Sequence, residues 1–265
     1  MESATSPEKK RTLSRALSGL LLLLGVALLK LKALLVNPFE GFGAIQFAVA
    51  GGTMLVTIVT YAFKWPLGFV VGFVVVTLIH ELGHAVVIRA KGLRAGFMVF
   101  IPFIGGAVTI KDQPRSAYDD AQIGLAGPIA GTFASLVSLQ IFKWTDIPLY
   151  LLIALAGFIL NLINLLPIGM LDGGRISAAV TKWMWIIGGG ILVYKVVKQP
   201  NALLIAILVL AVFQVYASIV RETEAKFYEI TGAQRTGIAV VYFSLVIFLG
   251  HQAFVTAARV AALAR

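Results

Sequence analysis

The sequence predicts an all-α polytopic membrane protein with about seven or eight transmembrane segments and a re-entrant β-hairpin. Hydrophobic residues make up 59% of the 265 positions, and only 13% are charged. The mean hydropathy is +0.94. Soluble domains are closer to half apolar and a quarter charged, so this composition indicates a chain that lies mostly in a membrane.

The formal net charge of +10 has two interpretations. A strongly basic chain can bind nucleic acid, but in a chain this apolar we expect basic loops that set the topology and meet anionic lipid. The chain has no cysteine. Disulfides and thiolate metal sites are therefore excluded, and any metal must be held by His, Asp or Glu.

The N-terminal region, residues 1–40, is predicted to be a basic N-terminus followed by one short apolar helix. The uncharged run at 16–29 is 14 residues long and ends at lysines. That is short for a span, and the run also looks like the apolar core of a signal peptide. No clear cleavage site follows it, so we expect an interfacial helix or a short signal-anchor span.

Four apolar runs predict the membrane helices of a core at residues 41–174, and the remaining residues, 175–265, supply additional helices. Asp119 and Asp120 precede the third run and are interpreted as charges at a helix start. Gly127 and Gly131 inside it are four residues apart, which favours close helix contact. The predicted core spans are 41–63, 66–88, 121–142 and 147–166, and the additional spans are 183–194, 202–220 and 237–254.

Residues 97–110 are apolar but do not have a helical composition. Pro102, Gly105 and Gly106 interrupt them, and β-branched residues surround the breaks. This composition predicts an extended hairpin. Non-helical backbone at membrane depth is tolerated only where protein buries it or where it lines a cavity, so we expect a re-entrant hairpin beside the site described next.

The strongest local pattern is His80-Glu81-Leu82-Gly83-His84, near the end of the second predicted core span. On a helix, two histidines four residues apart lie on one face and can share a tetrahedral zinc. Glu81 lies about 100° round the same helix and can reach a water at the metal. Ionisable groups inside a membrane helix are costly, roughly 2.5 kcal/mol or more each when charged, so they need a partner such as a metal ion.

A catalytic zinc has three protein ligands, so a third ligand is needed. His251 lies in the middle of the last span without acidic or histidine neighbours. Asp172 is a better candidate because it follows an apolar span and the proline break at Pro167, although an Asp-Gly pair also commonly ends a helix. The remaining aspartates lie in polar loops: Asp112, Asp119, Asp120 and Asp146.

Two motifs taken together resemble those of the site-2 protease family of intramembrane zinc metalloproteases. They are His80-Glu81-x-x-His84 and, roughly 90 residues later, Asn164-x-x-Pro167-x-x-x-Leu171-Asp172-Gly173. The broken apolar hairpin and the Gly127-Pro128 pair also resemble the core of that family. The resemblance covers about residues 41–174. Many members carry an inserted PDZ domain or a C-terminal nucleotide-sensing domain, for which this chain has no room.

The resemblance implies one zinc per chain, held by His80, His84 and Asp172. It further implies that Glu81 is the general base and that Asn164 positions substrate or stabilises the oxyanion. The implied reaction is hydrolysis of peptide bonds in or near transmembrane segments of other membrane proteins. We expect the hairpin to bind an unwound substrate as an added strand, with Val99 and Val108 as candidate substrate-binding residues. Asn161 has no assigned role.

The expected partners are a transmembrane protein substrate and the lipid bilayer, with no nucleic acid, and the oligomeric state stays open. If residues 16–29 do not cross and the motif end of its helix faces the cytoplasm, most of the 22 basic residues lie inside. The positive-inside bias therefore places the site towards the cytoplasmic face. The alternative functions are a metal-binding transporter or scaffold without proteolysis, and hydrolysis of soluble or lipid-linked substrates at the membrane surface.

Overall fold

The structure is a computed structural model, and it describes most of the chain beyond the N-terminal region. The described residues are 43–103, 105–168, 171–181, 183–200, 204–205, 207–209, 211–212 and 225–263. The predicted N-terminal helix at 16–29 and most of the predicted span at 202–220 lie outside these residues.

The described part is mainly helical, with one small sheet. Its helices are α1 (Ala44–Ala62), α2 (Leu67–Ala90), α3 (Ala117–Thr145), α4 (Pro148–Asn164), α5 (Asp172–Val180), α6 (Trp183–Lys198) and α7 (Gly232–Leu263). The strands β1 (Ala95–Ile101) and β2 (Gly105–Ile110) form an antiparallel pair between α2 and α3, and a short 3₁₀ turn, Ala225–Tyr228, precedes α7. The predominantly helical fold and the predicted hairpin are therefore both present in the described residues.

Within the described residues, four helices are long and apolar enough to cross a membrane: α1, α2, α3 and α7. The apolar helix α4 has 17 residues and is shorter than these. Pro148 is its first residue, a position where the missing N–H of proline is tolerated. Pro167 follows its end, because a proline in the interior would remove a backbone hydrogen bond and clash with the preceding turn. The four helices fit an integral membrane protein, and the count of seven or eight spans stays a prediction.

The ends of the long helices follow local capping chemistry. Pro66 precedes α2 with φ already near its helical value. The Ser116 hydroxyl accepts from the Asp119 N–H at 3.2 Å, so α3 begins at Ala117, earlier than the predicted residue 121. The two aspartates lie in the first turn after the serine cap, which confirms their interpretation as charges at a helix start.

Helix α1 covers the outer edge of β1 with three hydroxyl side chains spaced four residues apart. The Phe100 N–H donates to Thr53 Oγ1 at 3.1 Å, and Thr57 Oγ1 donates to the Phe100 carbonyl at 3.2 Å. The Phe103 N–H donates to the Tyr61 hydroxyl at 2.8 Å. One face of α1 therefore satisfies the backbone groups that a third strand would otherwise bind.

The interior is organised around α3, which packs against α2, α4 and α5. Helix α7, from the predicted additional region, packs against α4 and α5 as well. The Tyr242 hydroxyl of α7 donates to the Leu165 carbonyl at 2.7 Å, inside the buried cluster that also contains Phe158 and Ile176. This contact holds the end of α4, seven residues before Asp172.

Candidate metal centre

Helix α2 presents His80 and His84 towards α3 on one face. The two side chains are almost completely buried. Their Nε2 atoms are 3.1 Å apart, and the ring planes lie at 79° to each other. The four-residue spacing accounts for the shared face, since residues at i and i+4 are neighbours on a helix surface.

Asp172 brings a carboxylate to both histidines from the first turn of α5. Its Oδ2 atom lies 3.1 Å from His80 Nε2, and its Oδ1 atom lies 3.2 Å from His84 Nε2. The three residues form a group whose ligand atoms all lie within 4.8 Å of one another. Two helices that are distant in sequence thus meet at these atoms.

The outer ring nitrogens fix the tautomer of each histidine. His84 Nδ1 lies 2.7 Å from the Ile123 carbonyl oxygen, and because a carbonyl can only accept, Nδ1 carries the proton. His80 Nδ1 lies 2.8 Å from Asn161 Oδ1, while Asn161 Nδ2 donates to the Gly157 carbonyl at 2.7 Å. Each Nε2 atom therefore presents a lone pair to the space between the rings.

These atoms fit a divalent metal. Two lone pairs and a carboxylate converge in a buried space, and Asp172 Oδ2 is a buried atom without a hydrogen-bond partner. Such a group is costly unless a cation neutralises it. The ligand atoms of a tetrahedral zinc with bonds of about 2.0–2.1 Å lie about 3.3 Å apart. The two Nε2 atoms are 3.1 Å apart, and each has one carboxylate oxygen of Asp172 within 3.1–3.2 Å, so the three side chains are close enough to share one ion.

Two glycines of α3 leave the room that this arrangement needs. A Cβ atom on Gly127 would collide with the Nε2 atoms of both His80 and His84. A Cβ atom on Gly131 would collide with the Asn161 amide, which holds His80. The close helix contact predicted from the four-residue glycine spacing is therefore present, and it occurs at the metal centre itself.

Glu81 lies between the metal centre and the hairpin. Its Oε1 atom is 4.0 Å from His80 Nε2, and the residue is buried. A Cβ atom on Gly106 would collide with the Glu81 carboxylate. One face of β2 therefore lies directly against Glu81 at Gly106.

The remaining predicted residues lie at different distances from the centre. Asn164 Nδ2 is 3.5 Å from His80 Nε2, at the end of α4. Val99 pairs with Ala107 across the hairpin, and Val108 pairs with Met98. His251 is exposed on α7 and takes no part in the group.

Sequence reasoning missed the role of Asn161. This residue is completely buried, and it binds the outer nitrogen of His80. Asn161 and Asn164 are three residues apart, so both lie on one face of α4, and that spacing was the available signal. Which of the two reaches His80 Nδ1 depends on how α4 packs against α2.

The comparisons with known proteins agree with this geometry. A profile described as Peptidase family M50 matches residues 68–146, which include the two histidines, Glu81 and the hairpin. The chain is similar to "Zinc metalloprotease MJ0392" of Methanocaldococcus jannaschii, with 33% identity over 121 residues, 44% of this chain and 34% of the relative. It is also similar to "Putative zinc metalloprotease sll0528" of Synechocystis sp., with 30% identity over 148 residues, 51% of this chain and 38% of the relative. The chain thus spans only about a third of the length of these curated relatives.

Proposed function

We propose that the chain is an intramembrane zinc metalloprotease of the site-2 protease family, a proposal supported by its match to the Peptidase family M50 profile over residues 68–146 and by its similarity to two zinc metalloproteases. Its proposed reaction is hydrolysis of peptide bonds in or near the transmembrane segments of other membrane proteins. The observation that carries the proposal is the convergence of two histidine Nε2 atoms and one carboxylate beside the buried Glu81, within a bundle of apolar helices.

The proposed zinc ligands are His80, His84 and Asp172. Three protein ligands leave a fourth position open, as in catalytic zinc sites. When bound, zinc supplies a Lewis acid that polarises the scissile carbonyl and allows water to lose a proton near neutral pH. Asn161 and the Ile123 carbonyl hold the imidazoles so that both Nε2 atoms face the ion.

Glu81 is the proposed general base. Its carboxylate accepts a proton from the attacking water and later delivers that proton to the leaving amine. The 4.0 Å separation between Glu81 Oε1 and His80 Nε2 keeps the carboxylate beside the ligand atoms without making it a ligand. Its burial against Gly106 also excludes bulk water from the side of the base that faces the hairpin.

Asn164 is the proposed donor to the developing oxyanion. Its Nδ2 atom lies on the side of the site that α4 forms, 3.5 Å from His80 Nε2. An amide donor at that position can stabilise negative charge on the substrate oxygen. Removal of one such donor in other hydrolases costs about 3 kcal/mol of transition-state stabilisation.

The substrate-binding strand is proposed to be β2. Because the backbone groups of Phe100 bind α1, Phe100 and its partner Gly106 are a pair whose polar groups point away from each other. The groups of Gly106 therefore face the outer edge of β2, and those of Val108, two residues on, face the same way. An unwound substrate segment would add to this edge beside Glu81, while Val99 helps to hold β2 in place.

We further propose that the site opens towards the cytoplasmic face and that the full set of spans is seven or eight. Basic residues cluster near the end of α2 that carries the motif, where Lys91 follows the helix and Arg94 directly precedes β1.

A helical substrate binds its amide groups in its own intrahelical hydrogen bonds. It must therefore unwind locally before its peptide bonds reach the site.

The decisive experiment is Glu81→Gln in the full chain, reconstituted with a set of candidate transmembrane substrates. We expect the wild type to cleave a substrate and to contain one zinc. Glu81→Gln should keep the zinc and lose about 10²–10⁴-fold in rate, because it cannot accept the proton. His80→Ala should lose both the zinc and the cleavage activity, and it serves as the metal-free control.

Two results would overturn the proposal. If the purified wild type contained no zinc, the metal centre would be wrong. If it contained zinc while transport of metal or a binding activity persisted in Glu81→Gln and no membrane substrate was ever cleaved, the chain would be a metal-binding transporter or scaffold.

A further inference from the structure

Two adjacent carboxylates at the start of α3 bind two different helices of the metal centre. Lys91 Nζ lies 2.6 Å from Asp119 Oδ1, and Arg175 Nε donates to Asp120 Oδ1 at 2.9 Å. The Gln122 side chain also accepts from Lys91 Nζ. Carboxylates at a helix start interact favourably with the helix dipole even without basic partners, so the role expected from the sequence does not account for these two ion pairs.

Each basic partner follows a proposed metal ligand at helical spacing. Lys91 comes seven residues after His84 and directly follows α2, while Arg175 comes three residues after Asp172 on α5. Residues three or seven apart lie on one helix face. The two ion pairs therefore hold the same faces of α2 and α5 that present the ligands.

The next turns of α3 continue this alignment towards the metal centre. The Ile123 carbonyl accepts from His84 of α2. Gly124 allows α5 to approach closely, since a Cβ atom there would lie 3.2 Å from the Asp172 carbonyl oxygen and 3.1 Å from Ile176 Cγ1. Successive turns of α3 thus contact both halves of the centre.

Helix α5 needs such a contact because it is short. It has nine residues and follows an irregular turn, and an isolated helix of that length is marginal. Trp185 Nε1 donates to the Gly174 carbonyl at 2.9 Å, and Arg235 donates to the Val180 carbonyl at 2.7 Å near the far end of the helix. Asp120 of α3 holds the first turn of α5 through Arg175.

We propose that Asp119 and Asp120, the paired aspartates, are positioning residues that set the separation between the histidine half and the Asp172 half of the metal centre. The inference rests on the proposed metal site. Asp119 and Asp120 are 19% and 20% exposed, and their partners are 25% and 26% exposed. Partly desolvated ion pairs couple more strongly than surface pairs.

The structure offers a matched control in the ion pair between Arg94 and Asp112. Its atoms are 2.6 Å apart, and the Arg94 side chain is 72% exposed. This pair joins the first residue before β1 to the second residue after β2, and neither partner lies on a helix that carries a proposed ligand. Asp112→Asn therefore removes one ion pair of the same chemistry without changing the alignment of α2 and α5.

The test measures metal binding by the full chain in detergent, with Zn²⁺ in competition with a chelator and Co²⁺ for its visible spectrum. We expect Asp120→Asn to weaken Zn²⁺ binding about tenfold, as removal of supporting groups does at other metal sites, and to change the Co²⁺ spectrum. Arg175→Gln should have the same effect. The double variant should lose no more than either single variant, because both act through one contact.

The outcomes separate this inference from the proposed function. No Zn²⁺ binding by the wild type would refute the metal site itself. Wild-type binding with unchanged affinity and spectrum in Asp120→Asn would overturn the positioning role alone. A lower melting temperature of the metal-free chain with unchanged affinity would mean a merely structural contact and would also overturn it. If Asp120→Asn does not fold, Lys91→Gln, which breaks the pair on the histidine side, decides the question by the same measurement.

Discussion

Replacement of Asn161 by leucine should weaken zinc binding although Asn161 is not a ligand. Leucine has the same branching at Cγ, so Asn161→Leu keeps the shape that packs against Gly131. It removes the Oδ1 atom that accepts from His80 Nδ1 at 2.8 Å. The buried His80 N–H is then unpaired, at a cost of roughly 1–3 kcal/mol, and the ring is free to turn its Nε2 lone pair away from the metal.

The expected magnitude follows from such supporting groups at other metal sites, where their loss costs about 10–100-fold in metal affinity, or roughly 1.4–2.7 kcal/mol. Competition of the purified chain with a chelator of known zinc affinity measures it. Ser138→Ala is the matched control. Ser138 is also buried, and it donates to the Tyr150 carbonyl at 2.9 Å between α3 and α4, so its loss removes an interhelical hydrogen bond without touching an imidazole.

An affinity for zinc within twofold of wild type in Asn161→Leu would refute the reasoning. It would mean that the ring of His80 is oriented by packing alone. Equal losses in Asn161→Leu and Ser138→Ala would also refute it, because the effect would then reflect helix packing in general.

Three further predictions concern space, substrate and acid. Gly127→Ala should abolish stoichiometric zinc binding because its methyl group collides with both Nε2 atoms, whereas Gly189→Ala, whose methyl group meets nothing within 4 Å, should bind zinc normally by metal analysis. Because the chain has no native cysteine, Ala107→Cys on the exposed face of β2 should form a disulfide with a cysteine near the scissile bond of a substrate trapped by Glu81→Gln, whereas Val99→Cys should not. Neighbouring strands are about 4.8 Å apart, so a substrate strand on β2 is about 10 Å from β1, beyond disulfide reach. Cross-linking by Val99→Cys but not by Ala107→Cys would mean that the substrate pairs with β1, which would contradict the proposal. Finally, the Arg94 guanidinium holds the pKa of Asp112 at about 2, below its ordinary 3.8. This pair therefore stabilises the fold above pH 4, and its contribution is lost as the pH falls through the window from about 4 to 2, so Asp112→Asn should flatten that part of the acid-unfolding curve; an unchanged curve contradicts the assignment.

Much of the local structure follows from short-range patterns. The spacing of His80 and His84 places both on one helix face, and Pro102 and the two glycines of residues 97–110 favour strands over helix. These features depend on backbone geometry within a few residues, which the sequence carries directly. The third predicted span begins at residue 121 because it is bounded by the apolar run, whereas the Ser116 cap begins α3 at Ala117.

The functions of polar residues near the site were harder to predict. Asn161 and Asn164 are similar in sequence context, yet one binds the outer nitrogen of His80 and the other lies 3.5 Å from the inner one. Asp119 and Asp120 have the composition of an ordinary helix start, and only their partners on other elements distinguish them. Local patterns give the face on which a side chain lies, but its neighbour depends on the packing of a second helix.

By itself, the sequence determined that the chain is rich in apolar helices, that two histidines share a face, and that residues 97–110 break from the helical pattern. Only the tertiary structure decided that Asp172 meets those histidines, that Asn161 holds one of them, and that β2 passes against Glu81 at Gly106. The physical reason is that contacts between helices arise from the sum of many weak packing interactions and from a few glycines that permit close approach. No single stretch of the chain encodes that sum.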